Sequence, residues 1–143
     1  MYKIKYPPEI LYKAQIHSGN ISGITMIGNL LLSIGEDGKM CTANTDNKST
    51  TCIKVSESGL TNIIYEGAQK RLFLSDKIGN VVLYSTANMT PLKLESVPTG
   101  VKSFIRCMEV DFSEMIIFII TDNGILKGFN MIIIVRIRNL KKL

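Results

Sequence analysis

The sequence predicts an all-β protein, a partial β-propeller arc of about three four-stranded antiparallel blades. Short apolar runs alternate with turn-forming residues, and no long window repeats its apolar residues at helical spacing. A strand-turn-strand unit recurs along the chain: its turn falls at Asp37, Ile78 and Asp122, which are 41 and 44 residues apart (78 − 37 and 122 − 78). Four strands per period in the low forties is typical of a propeller blade, which stacks on its neighbours because it cannot cover its own apolar faces.

The chain has 143 residues, of which 45% are hydrophobic and 20% charged, and this composition indicates one folded domain with a core. We divide it into a lead-in with a candidate edge strand (1–16), three blades (approximately 17–56, 57–98 and 99–138) and a basic tail (139–143). The lead-in contains Pro7-Pro8, which blocks regular pairing, so that its one strand is expected over residues 9–15.

The first blade shows the strand pattern most clearly. Its residues 30–44 run from an apolar stretch through Asp37-Gly38, a pair suited to a tight turn, into a second strand. The predicted strands are 21–27, 30–34, 39–44 and 50–55 in the first blade, 60–65, 71–75, 81–85 and 91–96 in the second, and 102–110, 115–121, 125–130 and 131–138 in the third.

The end of the chain is open to two interpretations. Residues 131–138 form a closing strand with a basic end, or the Ile-, Asn-, Lys- and Leu-rich tail comes from a truncated or mis-spliced gene model. Three blades are fewer than the four or more of a closed propeller. The chain is therefore expected to belong to a larger protein, to complete a ring by self-association through its open edges, or to receive blades from a partner.

Charge and hydropathy exclude two classes of partner. The net charge is +5, and Arg136, Arg138, Lys141 and Lys142 carry +4 of it, so the body of the protein is nearly neutral and no nucleic-acid surface is predicted. No signal peptide is evident, and the apolar runs 115–120 and 131–135 are too short to span a bilayer. No transmembrane segment is predicted.

The cysteines and the single histidine argue against a metal site. Cys41, Cys52 and Cys107 are odd in number and have no C-x-x-C spacing, which disfavours both an ordinary zinc site and a disulfide scaffold. We therefore expect reduced thiols, a cytoplasmic location and no cofactor.

The first unit resembles a WD repeat. That family places a His before the first strand of a blade, a Ser or Thr in the second strand and an Asp in the turn after it; His17, Ser33 and Asp37 match these positions. Its Trp-Asp pair falls here on Ala43 and Asn44.

The other two units match the WD pattern less well. The second has Ile78 at the Asp position and Tyr84-Ser85 at the Trp-Asp pair, while the third keeps Asp122 and has Gly128 and Phe129 near the Trp position. The resemblance covers roughly residues 14–130 and depends on period and strand pattern more than on individual residues.

The resemblance implies structural roles for His17, Ser33 and Asp37, which in the family form a buried polar network between loop and turn. It also implies a non-catalytic scaffold for protein-protein interactions, with other proteins or peptides as partners. The turns expected to face a partner include Glu36, Lys77, Asp122 and Asn123.

Two other functions compete with this interpretation. An enzyme is disfavoured because the sequence has no nucleophile elbow, no phosphate-binding Gly-rich loop and no metal-ligand cluster. The alternative is a fragment of a WD-repeat adaptor with a lipid- or membrane-trafficking role, such as a WD-repeat/FYVE-type endosomal protein. Neither the zinc ligands of a FYVE finger nor the doubled-Arg lipid motif of phosphoinositide-binding propellers is present in this sequence.

Overall fold

A computed structural model describes residues 2–3, 7–10, 13–88 and 90–131. Its strands are β1 Ile21–Ile27, β2 Leu30–Gly35, β3 Lys39–Asn44, β4 Thr50–Lys54, β5 Leu60–Glu66, β6 Arg71–Asp76, β7 Val81–Ser85, β8 Leu92–Val97, β9 Ile105–Asp111, β10 Ile116–Thr121 and β11 Leu126–Asn130. They form three antiparallel sheets, β1 to β4, β5 to β8 and β9 to β11, each with its strands in chain order. The prediction of an all-β arc of antiparallel blades is confirmed.

The first strand of each blade lies on the inner side of the arc. Strand β1 packs beside β5, and β5 packs beside β9, so these three strands bring the blades together. No helix in the described ranges is long and apolar enough to span a membrane.

Three glycines establish which positions are equivalent in the three blades. Gly38, Gly79 and Gly124 have φ values of 73°, 99° and 81° in the turns β2–β3, β6–β7 and β10–β11, a conformation that glycine adopts without strain. The spacings are therefore 41 and 45 residues (79 − 38 and 124 − 79). The equivalence of Asp122 with Asp37 was wrong by one residue, because the glycine of the third turn places Asn123 there.

Each blade has a forward face, toward the following blade, and a backward face. The forward face of the first blade packs against the backward face of the second, in one apolar core. This core contains Leu32, Ile34 and Met40 from the first blade and Leu60, Leu72, Leu74, Val82 and Tyr84 from the second.

The second and third blades meet in the same way. A second core contains Phe73, Val81, Leu83 and Val97 from the second blade and Ile105, Met108, Val110, Ile117, Ile119 and Met131 from the third blade and the residue after it. The continuous apolar runs of β6 and β10 thus supply apolar side chains to both faces of a blade, since successive side chains of a strand point to opposite sides.

The forward face of the third blade is exposed in the described part of the chain. We call it the open face and define it by Ile116, Phe118 and Ile120 of β10 and Leu126 of β11. Phe118, Ile120 and Leu126 are 39%, 44% and 65% exposed. In the alignment of the three turns, Phe118 is equivalent to Phe73 and Leu126 to Val81, which are buried. The third blade therefore has blade-packing residues without a described partner.

The backward face of the first blade carries a disulfide. Cys41 of β3 and Cys52 of β4 are directly opposite each other, with Cα atoms 4.0 Å apart, and are joined by an S–S bond. The prediction of reduced thiols was wrong for this pair, because the strand register brings together two cysteines that are 11 residues apart in the sequence. The predicted cytoplasmic location loses the support it drew from reduced thiols. Cys107 is a free, exposed thiol.

The two ends of the chain are described only in part. Within the predicted edge strand 9–15, residues 11 and 12 lie outside the described ranges and the other five contain no strand. At the other end, the N–H of Met131 donates to the Met115 carbonyl at 2.8 Å. The rest of the predicted closing strand 131–138, like the basic tail, lies outside the described residues.

Candidate functional site

The candidate site lies at one end of the blades. There, in each blade, the turn between the second and third strands contacts the loop that leads into the first strand. We call this end of the blades the turn end. The same backbone bond recurs there in all three blades: the N–H groups of Glu36, Lys77 and Asp122 donate to the carbonyls of Asn20, Gly59 and Phe104, each at 2.9 Å. The repeat therefore aligns equivalent residues of the three blades at one end of the molecule.

In the first blade the structure brings His17, Ser33 and Asp37 together. The His17 ring is buried, with Nδ1 3.0 Å from Asp37 Oδ1 and Nε2 2.9 Å from Ser33 Oγ. With the ring proton on Nδ1, His17 donates to Asp37 and accepts from the Ser33 hydroxyl. The three side chains join the lead-in to β2 and to the turn after it, which suits a structural role.

The Asp37 carboxylate has a strongly perturbed pKa. Burial raises it, but hydrogen bonds from His17 and from the backbone N–H groups of Ser18 and Lys39 more than offset burial, so that the pKa of Asp37 is lowered to about 2. Gly35 makes room for this pair, since a Cβ atom there would lie 2.6 Å from His17 Nδ1.

The second blade replaces this pair with a different acid. Asp76 occupies the position of Gly35 and is almost completely buried. It accepts hydrogen bonds from Ser56 Oγ at 2.8 Å, from Asn80 Nδ2 at 2.7 Å and from the backbone N–H groups of Ile78 and Asn80. Sequence reasoning missed Asp76, although an aspartate at the start of a turn commonly accepts hydrogen bonds from the backbone N–H groups of that turn.

The third blade uses neutral groups at the same place. Thr121 is buried, its hydroxyl donates to Asn123 Oδ1, and it accepts from the N–H of Ile125 at 3.1 Å. Ser103 Oγ lies 3.4 Å from Asn123 Oδ1. The neighbouring Asp122 is exposed.

Of the four turn residues predicted to face a partner, the structure pairs two. Lys77 Nζ lies 3.0 Å from Glu36 Oε1, across the boundary between the first and second blades. Asp122 and Asn123 lie on the turn of the third blade, where Asn123 contacts Ser103 and Thr121.

Three β-bulges surround a pocket next to this ion pair. The pairing of each inner strand skips one residue near its start: Ser22 in β1, Thr61 in β5 and Arg106 in β9. These equivalent residues line one pocket of about 210 Å³, together with Glu36, Lys77 and Phe104. A bulge leaves its extra residue unpaired and redirects its side chain. Three separate strands can therefore each contribute one side chain to the same pocket.

Cations and an aromatic ring form one wall of this pocket. The guanidinium carbon of Arg106 lies 4.3 Å from the centre of the Phe104 ring, and Lys77 Nζ lies 5.8 Å from the same centre. Both contacts are in the range of cation–π interactions. Sequence reasoning missed Phe104 and Arg106, because the bulge that aims Arg106 depends on strand register.

No group of three or more His, Cys, Asp or Glu side chains that could hold a metal ion occurs in the part of the chain that the structure describes. The carboxylates of Glu36, Asp37 and Asp76 accept hydrogen bonds from serine, histidine, asparagine, lysine and backbone donors. The geometry thus offers hydrogen bonding and charge at a surface, and the expectation of no cofactor stays a prediction.

Solved structures of similar fold support the propeller architecture. They include the computationally designed Ika8 protein (TM-score 0.69, 12% identity, covering 85% of this chain and 36% of that one). A chain of the mitotic checkpoint complex matches with a TM-score of 0.69 and 15% identity over 80% of this chain and 38% of its own length. The WD40 β-propeller domain of Doa1 matches with a TM-score of 0.63 and 12% identity over 81% of this chain and 39% of its own.

The chain therefore spans between a third and two fifths of the length of these solved chains. No protein-family model matches the sequence, and no curated protein sequence matches it significantly. At such low identity the likeness is one of fold: this protein has the blades of a β-propeller.

Proposed function

We propose that this protein is a non-catalytic scaffold that binds other proteins and forms part of a larger propeller. The open face of the third blade carries the proposal. Phe118 and Leu126 are large apolar residues at the positions where Phe73 and Val81 are buried against a following blade. A surface of this kind is typical of a site that packs against another protein surface.

The edge of the third sheet supports association as well. In the first two blades the third strand pairs with a fourth, whereas β11 is the edge of its sheet among the described residues. An edge strand beside an apolar face favours pairing with a further chain. A further blade, from a second copy or from another protein, would cover the open face and pair with the β11 edge.

Sedimentation velocity of the full chain tests this proposal. We expect concentration-dependent self-association, because no described residue of the chain covers the open face. Phe118→Lys should shift the population toward monomer, since it places a charge in the apolar face. Ile78→Lys is the matched control: Ile78 is 55% exposed but lies in a turn away from that face, and its substitution should leave association unchanged.

Two results would overturn the proposal. One is a monodisperse monomer of the full chain at every concentration. The other is equal association of the Phe118→Lys variant and the unsubstituted chain. The adaptor with a lipid- or membrane-trafficking role and the cytoplasmic location stay predictions, because no contact among the described residues distinguishes them from other settings.

A further inference from the structure

The pocket between the three bulges contains one residue that breaks the repeat. Ser22, Thr61 and Arg106 are equivalent in position, but only Arg106 is charged. Ser22 Oγ is already engaged, since it donates to the Leu60 carbonyl at 2.6 Å. The third bulge therefore gives the pocket its distinctive chemistry.

Arg106 has its donors available. Its side chain makes no ion pair or hydrogen bond with the described residues, and its guanidinium carbon lies 4.3 Å from the centre of the Phe104 ring. A guanidinium stacked on a ring is held in one plane while its N–H groups stay free at the edge. That arrangement suits a carboxylate or a phosphate, each of which can accept two parallel hydrogen bonds from the fork.

Lys77 adds a second cation, which an acid of the same molecule partly neutralises. Its Nζ contacts Glu36 Oε1 at 3.0 Å, and Asn20 Nδ2 donates to the other oxygen of Glu36 at 3.2 Å. Both Lys77 and Glu36 remain about one third or more exposed, so an incoming anion can compete for Lys77. Glu36 weakens the binding of such an anion, because it is paired with Lys77 and its carboxylate repels negative charge.

We propose that this pocket binds an oxyanion, the carboxylate or phosphate of a peptide segment in a partner protein. Its volume of about 210 Å³ is smaller than that of the usual small-molecule sites and fits a single side chain. The inference rests on the proposed scaffold function, since it names the chemistry by which the turn end recognises a partner. Arg106 provides the bidentate contact and Lys77 provides additional positive charge.

Fluorescence anisotropy with the full chain tests the proposal. The probes are labelled Gly-Ser peptides that carry one central Glu, phosphoserine or Gln. We expect the Glu or the phosphoserine peptide to bind more tightly than the Gln peptide, with an affinity that falls as salt is added. The two anionic peptides distinguish a carboxylate ligand from a phosphate ligand, and preference for either one supports the proposal.

Substitutions then assign the contacts. Arg106→Gln should weaken binding of the anionic peptide about tenfold or more, the loss expected for a charged hydrogen bond. Glu36→Gln should tighten it a few-fold by freeing Lys77, a gain that a merely structural role for the ion pair would not produce. Lys93→Gln, an exposed lysine of β8, is the control and should bind as the unsubstituted chain does.

Urea unfolding midpoints must stay unchanged in these variants, so that a loss of binding is not a loss of fold. The proposal fails if the three peptides bind equally, if none binds, or if Arg106→Gln has no effect. Its failure is separable from that of the scaffold proposal. Phe118→Lys should reduce self-association and retain peptide binding, whereas Arg106→Gln should reduce peptide binding and retain self-association.

Discussion

The second and third blades present the same residue type at the same position in two environments. Phe73 is 1% exposed because the third blade covers it, while Phe118 is 39% exposed in the described part of the chain. The turn glycines differ in the same way. A Cβ atom on Gly79 would lie 2.2 Å from the Val101 carbonyl oxygen, whereas one on Gly124 would have no neighbour within 4 Å. The repeat therefore supplies equivalent residues, and only the following blade turns them into core.

The largest expected effect separates the two phenylalanines. Phe73→Ala should lower the free energy of unfolding by about 3–5 kcal/mol, because it leaves a cavity between two blades. Phe118→Ala should cost about 1–2 kcal/mol, because much of its ring is already in water. Urea denaturation of both variants measures the difference, and equal midpoints would show that the two faces are equally covered.

The turn glycines give the second contrast. Gly124→Ala should cost about 1–2 kcal/mol, the strain of a side chain at positive φ. Gly79→Ala should cost about 2–5 kcal/mol, because overpacking against the Val101 carbonyl adds to the same strain. Thermal unfolding followed by circular dichroism compares them, with Gly28→Ala, at positive φ and without a neighbour within 4 Å, as a further control for strain alone. A larger loss in Gly124→Ala would contradict an open turn in the third blade.

Asp37 and Asn123 extend the contrast to polar contacts. Asp37→Ala should destabilise the protein by about 1–3 kcal/mol, because it removes the partner of the buried His17 ring. Asn123→Ala should cost less than about 1 kcal/mol, since Asn123 is exposed and the Thr121 hydroxyl that donates to it also lies 3.4 Å from the Ile125 carbonyl oxygen, a second acceptor. Asp46→Ala, in the polar β3–β4 loop, is a second surface control. Identical midpoints for Asp37→Ala and Asp46→Ala would remove the support for a WD-type network.

The smallest effect is the dependence of stability on pH that Asp37 contributes in the first blade. The pKa of Asp37 falls from 3.8 to about 2 on folding, so its carboxylate stabilises the native state above pH 3.8, and this contribution disappears as the pH falls through about 2. The full contribution is about 2 kcal/mol, of which the range from pH 5 to pH 3 reveals only a part. Urea midpoints across that range should fall less steeply in Asp37→Asn than in the unsubstituted chain. Parallel slopes would contradict the lowered pKa.

Most of the fold was predictable because its determinants are local. Strand length and turn type depend on neighbouring residues, and together with the spacing of the turns they predict the blades. The contact of His17 with Asp37 followed only from the resemblance to a WD repeat. The disulfide required the register of β3 against β4, which places Cys41 opposite Cys52.

The charged pocket was harder to predict for a related reason. A bulge shifts the strand register by one residue. Unless the position of the bulge is known, the sequence does not indicate that Arg106 lines a pocket. Asp76 was missed for a different reason. Its bonds to Ile78 and Asn80 are local, but the first blade has glycine at the equivalent position and so gave no hint of an acid there. The pocket combines residues of all three blades, which are far apart in the sequence, so neighbouring residues do not predict it.

The disulfide between Cys41 and Cys52 has a consequence for how the chain responds to proteolysis. It encloses the β3–β4 loop, whose residues 45–49 are all exposed. A protease that cuts this loop therefore releases no fragment: the two pieces remain covalently attached and migrate as one molecule until a thiol reductant separates them. A nicked chain can thus keep β4 tethered to the first blade after its peptide connection has been lost.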